Sequence, residues 1–269
     1  VYIEELASGV RTITGVATSI TAFIGRALSG PENEPTIINN FGDYERQFGG
    51  LWVDSTMSYA VQDFYLNGGS QAIIVRVQLN GGPAKIPLPG TLSPMGDFLN
   101  LFASSKGAWG NALSVTVDYQ TQDPTAPPQS PPANPTTFNL LVYENNVKVE
   151  EYRNVSLTAT DVRFLPRVLE QSSTRIISEK DGTGQWVLPV AARPAETPAP
   201  ISAQDGSDGD PLTSAEYEGS SNDKTGIYAL LKTDLFNLLC IPPPTRLGNT
   251  APSVYQQSMQ TFADKRAFL

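Results

Sequence analysis

The sequence predicts a mixed α/β (α+β) fold, with a discontinuous α/β core interrupted by an inserted, mostly β module. Three observations lead there. Between residues 19 and 83 a strand pattern, helix patterns and a second strand pattern follow one another, the order of an α/β layer. From about 84 to 200 the chain becomes rich in Gly and Pro and carries alternating strand patterns. After 201 helical and buried-strand patterns return. The expected division is an extended linker arm over 1–18, a first core part over 19–83, a β-rich insertion over 84–200 and a second core part over 201–269. A chain of 269 residues has room for this and for a sizeable core.

Taken in order, VYIEEL at the start alternates its side chains and reads as a short extended stretch ended by Gly9. Ser19 to Arg26 is a core strand, with Ile20, Ala22 and Ile24 on one face and Thr21 and Phe23 on the other. Thr36 to Ile38 is a short strand. Asn40 then caps a helix that has Asp43 in its first turn, and Phe41, Tyr44 and Phe48 recur at helical spacing until Gly49-Gly50 stops it. A second helix spans Ser55 to Asn67, with a stripe of Met57, Val61 and Phe64 beside Ala60 and Tyr65, and Gly68-Gly69 as its stop. Ala72 to Val77 is an apolar run suited to a strand buried on both faces.

In the insertion, Leu113 to Tyr119 is a strand with Val115 and Val117 on one face. Residues 120–136 are a proline-rich loop whose composition favours extended, solvated backbone. Phe138 to Tyr143 and Val147 to Tyr152 pair around Asn145-Asn146, because asparagine tolerates positive φ. Pro166 to Gln171 is a short helix with proline at an early position. Residues 189–215 read as a loop, and Tyr228 to Leu231 as helical. Leu235 to Ile241 reads as a continuous buried strand stopped by Pro242-Pro243-Pro244. Ser253 to Arg266 is an amphipathic helix carrying Val254, Met259, Phe262 and Ala263. Ala267 to Leu269 opens another apolar stretch, and the first residue is Val1, so further chain is expected on either side.

Composition narrows the chemistry. With 18 Lys and Arg against 27 Asp and Glu the formal net charge is -9, which disfavours nucleic acid and anionic lipid as partners. The sequence has no histidine, so neither a Ser-His-Asp nor a Cys-His centre can be built from it. One cysteine, Cys240, excludes thiolate zinc clusters and an internal disulfide, and its apolar neighbours make it a packed small side chain. No metal and no cofactor is called for. No apolar run has the length of a membrane span, and no secretory signal is visible.

The chemistry left open is that of carboxylates. Asp205, Asp208 and Asp210 lie among glycines, a composition that can bind calcium, but the closing Glu of an EF-hand is absent and solvated surface turns are the favoured reading. Glu4-Glu5, Glu150-Glu151 and Glu216 with Glu218 are acidic pairs that a carboxylate-based glycoside hydrolase would need, although neighbours on a strand point to opposite faces. A β module recognising a glycan is a further alternative. Gly68-Gly69-Ser70 and Gly107 to Asn111 match no phosphate loop and read as turns. Asn154-Val155-Ser156 is a glycosylation sequon with no sign of secretion. The arm of Val1, Tyr2, Ile3, Glu4, Glu5 and Leu6 can complete the sheet of another chain through main-chain hydrogen bonds, or pair within its own subunit.

Several stretches together resemble the contractile tail sheath proteins of contractile-tailed phages and of related phage-tail-like injection systems. That family opens with a Pro-Gly-Val-Tyr-Val-Glu-Glu-like arm, then a strand ending Phe-Ile/Val-Gly, then Gly-Pro and a Phe-Gly-Gly helix end. The matching residues are Val1 to Glu5, Phe23 to Gly25, Gly30-Pro31 and Phe48 to Gly50. Ser58 to Val77 is similar to the family's Tyr-Ala-Val-x-x-Phe-Phe-x-Asn-Gly-Gly helix and strand. Gly107 to Asn111, Gly206 to Gly209 and Leu235 to Pro243 are similar to later landmarks, all in family order. The resemblance implies a core of subtilisin-like topology, an outward-facing β insertion, and an absent C-terminal sheath domain. It further implies a structural, non-enzymatic subunit. Copies would form six-membered rings stacked as a helical sleeve around an inner tube, with baseplate or cap proteins at the ends. Assembly would take place in the bacterial cytoplasm. On this reading Val1 to Leu6 exchange strands between subunits, and contraction needs no nucleotide, only an increase of buried contact.

Overall fold

The computed structural model describes residues 20–90, 98–121, 136–189 and 193–263. The expected arm with Val1 to Leu6, most of the proline-rich loop and the apolar stretch Ala267 to Leu269 lie outside the described residues. In chain order the elements are β1 (Thr21–Gly25), β2 (Thr36–Ile38), α1 (Phe41–Phe48), α2 (Thr56–Leu66), β3 (Ala72–Arg76), β4 (Lys85–Pro89), β5 (Phe98–Ala103), β6 (Leu113–Asp118), β7 (Phe138–Glu144), β8 (Val147–Val155), α3 (Leu165–Ser172), β9 (Ile176–Ser178), β10 (Ile201–Ser202), α4 (Ser214–Glu218), β11 (Leu238–Cys240) and α5 (Pro252–Phe262). Two 3-10 turns join them, Ala108–Ala112 and Gly226–Lys232.

The core sheet has the order β11-β1-β3-β2. β1 pairs parallel with both β3 and β11, and β2 closes the other edge antiparallel. Both faces of β1 and β3 are covered, which is why their sequences are apolar at every position rather than at alternate ones. On one face Ile20, Ala22, Ile24, Ile73 and Val75 pack against Tyr217, Ile227, Leu230, Val254 and Phe262. On the other, Phe23 and Ile74 pack against Tyr44, Phe48, Met57 and Val61 of α1 and α2. The helix ends follow local chemistry. Asn40 and Ser55 accept main-chain N–H groups of the first turns, and Gly49 takes φ 86° at the end of α1.

The strands between Lys85 and Ser178, joined by Ile201–Ser202, form two further sheets, β10-β6-β7-β8 and β4-β5-β9. They share one apolar cluster that runs from Ala84 to Ala203 and includes Leu88, Leu101, Val117, Leu140 and Leu169. Asn145 and Asn146 take φ 50° and 65° between β7 and β8, the conformation a two-residue hairpin turn requires. β4 contains Pro87 and Pro89 because it is an edge strand, where a missing N–H costs no ladder bond.

Four expectations are corrected. The run Leu235 to Ile241 is not a continuous buried strand. Only Leu238–Cys240 pairs, at the edge of the sheet, where Leu235 and Leu238 are 40% and 39% exposed. The last described helix buries Val254, Ser258 and Phe262, a strict i, i+4, i+8 row, which turns Met259 outward. The loop expected at 189–215 contains β10 and the start of α4. The helical stretch at Tyr228 to Leu231 is a 3-10 turn.

Candidate functional site

The side chains with the least ordinary environments gather at the seam between the core sheet and the β module. Arg76 ends β3 and is 1% exposed. Its guanidinium donates to the carbonyls of Ala27 at 3.0 Å, Gly30 at 2.8 Å and Lys106 at 2.7 Å, with Leu28 at a longer 3.5 Å. Burial pulls its pKa down to about 10, and the charges of Glu32 and Asp208 act the other way. A buried cation surrounded by carbonyls fixes the loop after β1 against the loop around Lys106, because each carbonyl would otherwise be desolvated without a partner.

Asp208 is the second centre. Its carbonyl accepts from Arg26 at 3.0 Å and from Gln78 at 3.3 Å, and its carboxylate accepts the main-chain N–H of Ala108 at 2.7 Å. Asn111 and Gly206 exchange two hydrogen bonds next to it. The glycines are required here. A Cβ on Gly206 would lie 2.7 Å from the carbonyl oxygen of Gly107, and one on Gly209 would lie 2.0 Å from that of Leu79. Gly107 to Asn111 and Gly206 to Gly209 therefore meet in space.

Asp208, Asp210, Glu150, Glu151 and Glu216, among the carboxylates considered for chemistry, are engaged in local structure. Among the described residues no group of three His, Cys, Asp or Glu side chains is placed to hold a metal. Asp210 accepts from Asn80 at 2.9 Å. Glu150 accepts from Tyr152, Ser173, the hydroxyl and N–H of Thr174, and the N–H of Arg175, at 2.7–3.2 Å. Glu151 is exposed and held by Lys148 at 2.6 Å and by Arg153, and these contacts lower its pKa. Glu216 closes the capping box of α4 with Thr213. Glu4 and Glu5 lie outside the described residues, as do the other arm positions Val1, Tyr2, Ile3 and Leu6. Cys240 is half-buried, and desolvation raises its pKa.

Sequence reasoning passed over Arg76, Arg26 and Asn111. One signal was present: an arginine inside the apolar run Ala72 to Val77, where both faces of the strand are covered, must be paired within the fold.

The sheet edges differ in how they meet solvent. The outer strand β8 carries Lys148, Glu150, Glu151 and Arg153, a charged edge that resists pairing with another strand. β11, Leu-Leu-Cys, carries no charge. No described helix is long and apolar enough to cross a membrane.

No family model matches the chain, and no curated protein matches its sequence. Solved structures do match. The sheath tail protein of Listeria innocua aligns with a TM-score of 0.57 at 14% identity, over 94% of this chain and 46% of its own. The sheath tail protein of Desulfitobacterium hafniense aligns with a TM-score of 0.54 at 15% identity, over 99% of this chain and 51% of its own. The chain spans about half the length of these two proteins. The resemblance read from the residues is thus met in three dimensions: the mixed α/β fold of this chain is one it shares, over nearly its whole length, with solved sheath tail proteins.

Proposed function

We propose that the protein is a structural subunit of a contractile tail sheath, and not an enzyme. The observation that carries this is the fold shared with two sheath tail proteins across at least 94% of the chain. The engaged carboxylates and the lack of histidine support it. In this reading copies of the chain polymerise as six-membered rings stacked into a helical sleeve around an inner tube. The sleeve shortens and drives the tube through a target envelope. The partners are other copies, the inner tube protein and baseplate or cap proteins, with no nucleic acid and no insertion into a membrane. Assembly takes place in the bacterial cytoplasm, and the product is part of a phage tail or tail-like injection particle. Residues 19–83 and 201–269 form a core of subtilisin-like topology, and 84–200 form an insertion that faces outward.

The arm over 1–18 links neighbours, with Val1, Tyr2, Ile3, Glu4, Glu5 and Leu6 adding a strand to the next subunit. Main-chain bonds made this way hold neighbours together while their bodies slide. The work of contraction then comes from contact area gained between subunits, a few kcal/mol each, of the order typical for differential contacts and summed over the sleeve. The test is deletion of Val1 to Glu5. The shortened protein is expected to keep its circular dichroism and melting curve and to form no sleeves in negative-stain micrographs. Normal sleeves from the deletion variant would refute the role of the arm.

A further inference from the structure

A cleft of about 310 Å³ opens where the end of α1 and the loop after β1 meet the end of β5 and the start of β9. Among the described residues its lining holds two arginines, Arg46 and Arg175, and no Asp or Glu. Two other clefts of the chain carry carboxylates, Asp54 and Asp208 in one and Glu170 and Glu179 in the other. In a chain of net charge -9, a wall with two guanidiniums and no carboxylate is where a small anion meets least repulsion.

Carbonyls of this lining are taken up within the fold, while donors are left over. The Gly30 carbonyl accepts from Arg76 at 2.8 Å, that of Thr174 from the Ser104 hydroxyl at 2.7 Å, and that of Arg175 from the Ser104 N–H at 2.9 Å. At the end of α1, where bare carbonyls would repel an anion, those of Glu45 and Phe48 accept from Gly49 and Ser29. The Ser105 oxygen accepts from Gly30 at 3.0 Å and from the Trp109 indole at 3.2 Å, and its own O–H meets no acceptor among the described residues. The Gln47 amide is exposed and likewise donates to none of them. Arg46 spends one nitrogen on Asp43, and Arg175 brings one to 3.1 Å from Glu144. Both pairs are partly open to water, where they contribute little, and a guanidinium has five N–H groups to share. Spare N–H and O–H groups beside two fixed positive charges fit an oxyanion, whose bonds to guanidinium are charge-assisted.

We propose that this cleft binds a small oxyanion of the phosphate class, held by the guanidiniums of Arg46 and Arg175 with the Gln47 amide and the Ser105 hydroxyl. The net charge of the chain disfavours long polyanions, whose charges extend past the cleft, but a single phosphate group does not extend past it. Arg46 and Gln47 stand on α1, Ser105 follows β5 and Arg175 precedes β9, so the bound anion ties a helix of the first sheet to the strand ends of another. Trp109 gives an apolar wall to any organic group that the phosphate carries. The proposal goes beyond the sheath reading and does not depend on it.

The test is equilibrium dialysis of the whole protein against inorganic phosphate, with chloride keeping the ionic strength constant. Saturable binding of about one phosphate per chain is expected, half-complete at about 1 mM or below. Arg46→Gln and, separately, Arg175→Gln are each expected to weaken it by about tenfold, the effect of losing a charge-assisted hydrogen bond. Arg153→Gln, on β8 and away from the cleft, is expected to bind as the parent does. Saturating phosphate is expected to raise the melting temperature of the parent, and at the same concentration to raise that of Arg46→Gln less. The Arg46 side chain is 71% exposed, so this variant keeps the parent's melting curve in chloride, and it decides alone if Arg175→Gln fails to fold. A second series with glycerol 3-phosphate separates the sources. Binding at least about tenfold tighter than that of inorganic phosphate supports the proposal with an organic phosphate as ligand, and equal or weaker binding supports it with the free anion. Phosphate held no better than chloride would overturn the proposal. So would Arg46→Gln binding as tightly as the parent, or Arg153→Gln losing as much as Arg46→Gln, since the attraction would then belong to the surface at large.

Discussion

Asn111 and Gly206 hold each other through two hydrogen bonds: the Asn111 amide donates to the Gly206 carbonyl at 2.9 Å, and its oxygen accepts the Gly206 N–H at 2.8 Å. A side-chain amide here does what a neighbouring strand would do, and it joins the 3-10 turn Ala108–Ala112 to the loop after β10. Asn111→Ala is therefore expected to cost about 1–3 kcal/mol of unfolding free energy, the range for stranding paired polar groups. Gly206→Ala is expected to cost at least as much, because its Cβ would press on the carbonyl of Gly107. Urea denaturation measures both. If the two positions act as one joint, the double variant will lose less than the sum of the single losses.

Arg76 is the most deeply buried charge among the described residues. Its removal leaves the carbonyls of Ala27, Gly30 and Lys106 without their donor. Arg76→Ala is expected to destabilise by about 3–5 kcal/mol. Arg76→Lys is expected to fall between the two, since an ammonium keeps the charge but not the fork of donors. Equilibrium denaturation of the three proteins gives the ranking. An alanine variant as stable as the parent would show that the guanidinium contributes nothing to the seam.

What was legible before the structure was local. The helix ends at Asn40 and Gly49 and the hairpin at Asn145-Asn146 depend on residues within a few positions of the backbone they serve, and all stand where the pattern places them. The double burial of β3 was legible from its unbroken apolar run. What was not legible depends on distant chain. The partners of Arg76 come from residues 27–30 and 106, and the partner of Asn111 lies 95 residues away. The apolar run at 235–241 could not reveal that its strand is short and at an edge, because hydrophobicity reports burial and not sheet position. Met259 looked like a core residue until the row Val254, Ser258, Phe262 fixed the rotation of α5. The proposed link between subunits rests on the arm, whose residues lie outside the described part of the chain.

Glu150 separates the structural reading from a hydrolytic one. Its carboxylate binds the turn at 173–175, so Glu150→Gln is expected to lower stability by about 1–3 kcal/mol, the cost of weakened hydrogen bonds to a charged group. The parent protein is expected to release no sugar from a panel of polysaccharides. Hydrolysis that disappears in Glu150→Gln, with an unchanged melting curve, would contradict this account.

Cys240 packs against the cluster around Phe23, Tyr44 and Met57, and burial pushes its thiol above the ordinary value of 9.0. A raised thiol pKa leaves less thiolate at any pH below it, so the reactive form is scarce in the folded protein near neutral pH. Alkylation at pH 8 is expected to be slower than for a free cysteine, and to reach the free rate in denaturing urea. Equal rates with and without urea would mean that the β11 edge opens freely.

The hairpin turn offers a local check. Asn146 sits at φ 65°, which costs an alanine roughly 1 kcal/mol, whereas glycine adopts it without strain. Asn146→Ala is expected to lower the melting temperature and Asn146→Gly to leave it unchanged or raise it. The opposite order by calorimetry would show that the turn is held by something other than backbone preference.

The most direct measurement is electron microscopy of the purified protein across a range of concentrations. The account predicts hollow sleeves, six-sided when viewed down the axis, that appear above a threshold concentration and exist in a long and a short form. A particle that stays a lone monomer at every concentration, while converting a substrate, would contradict it.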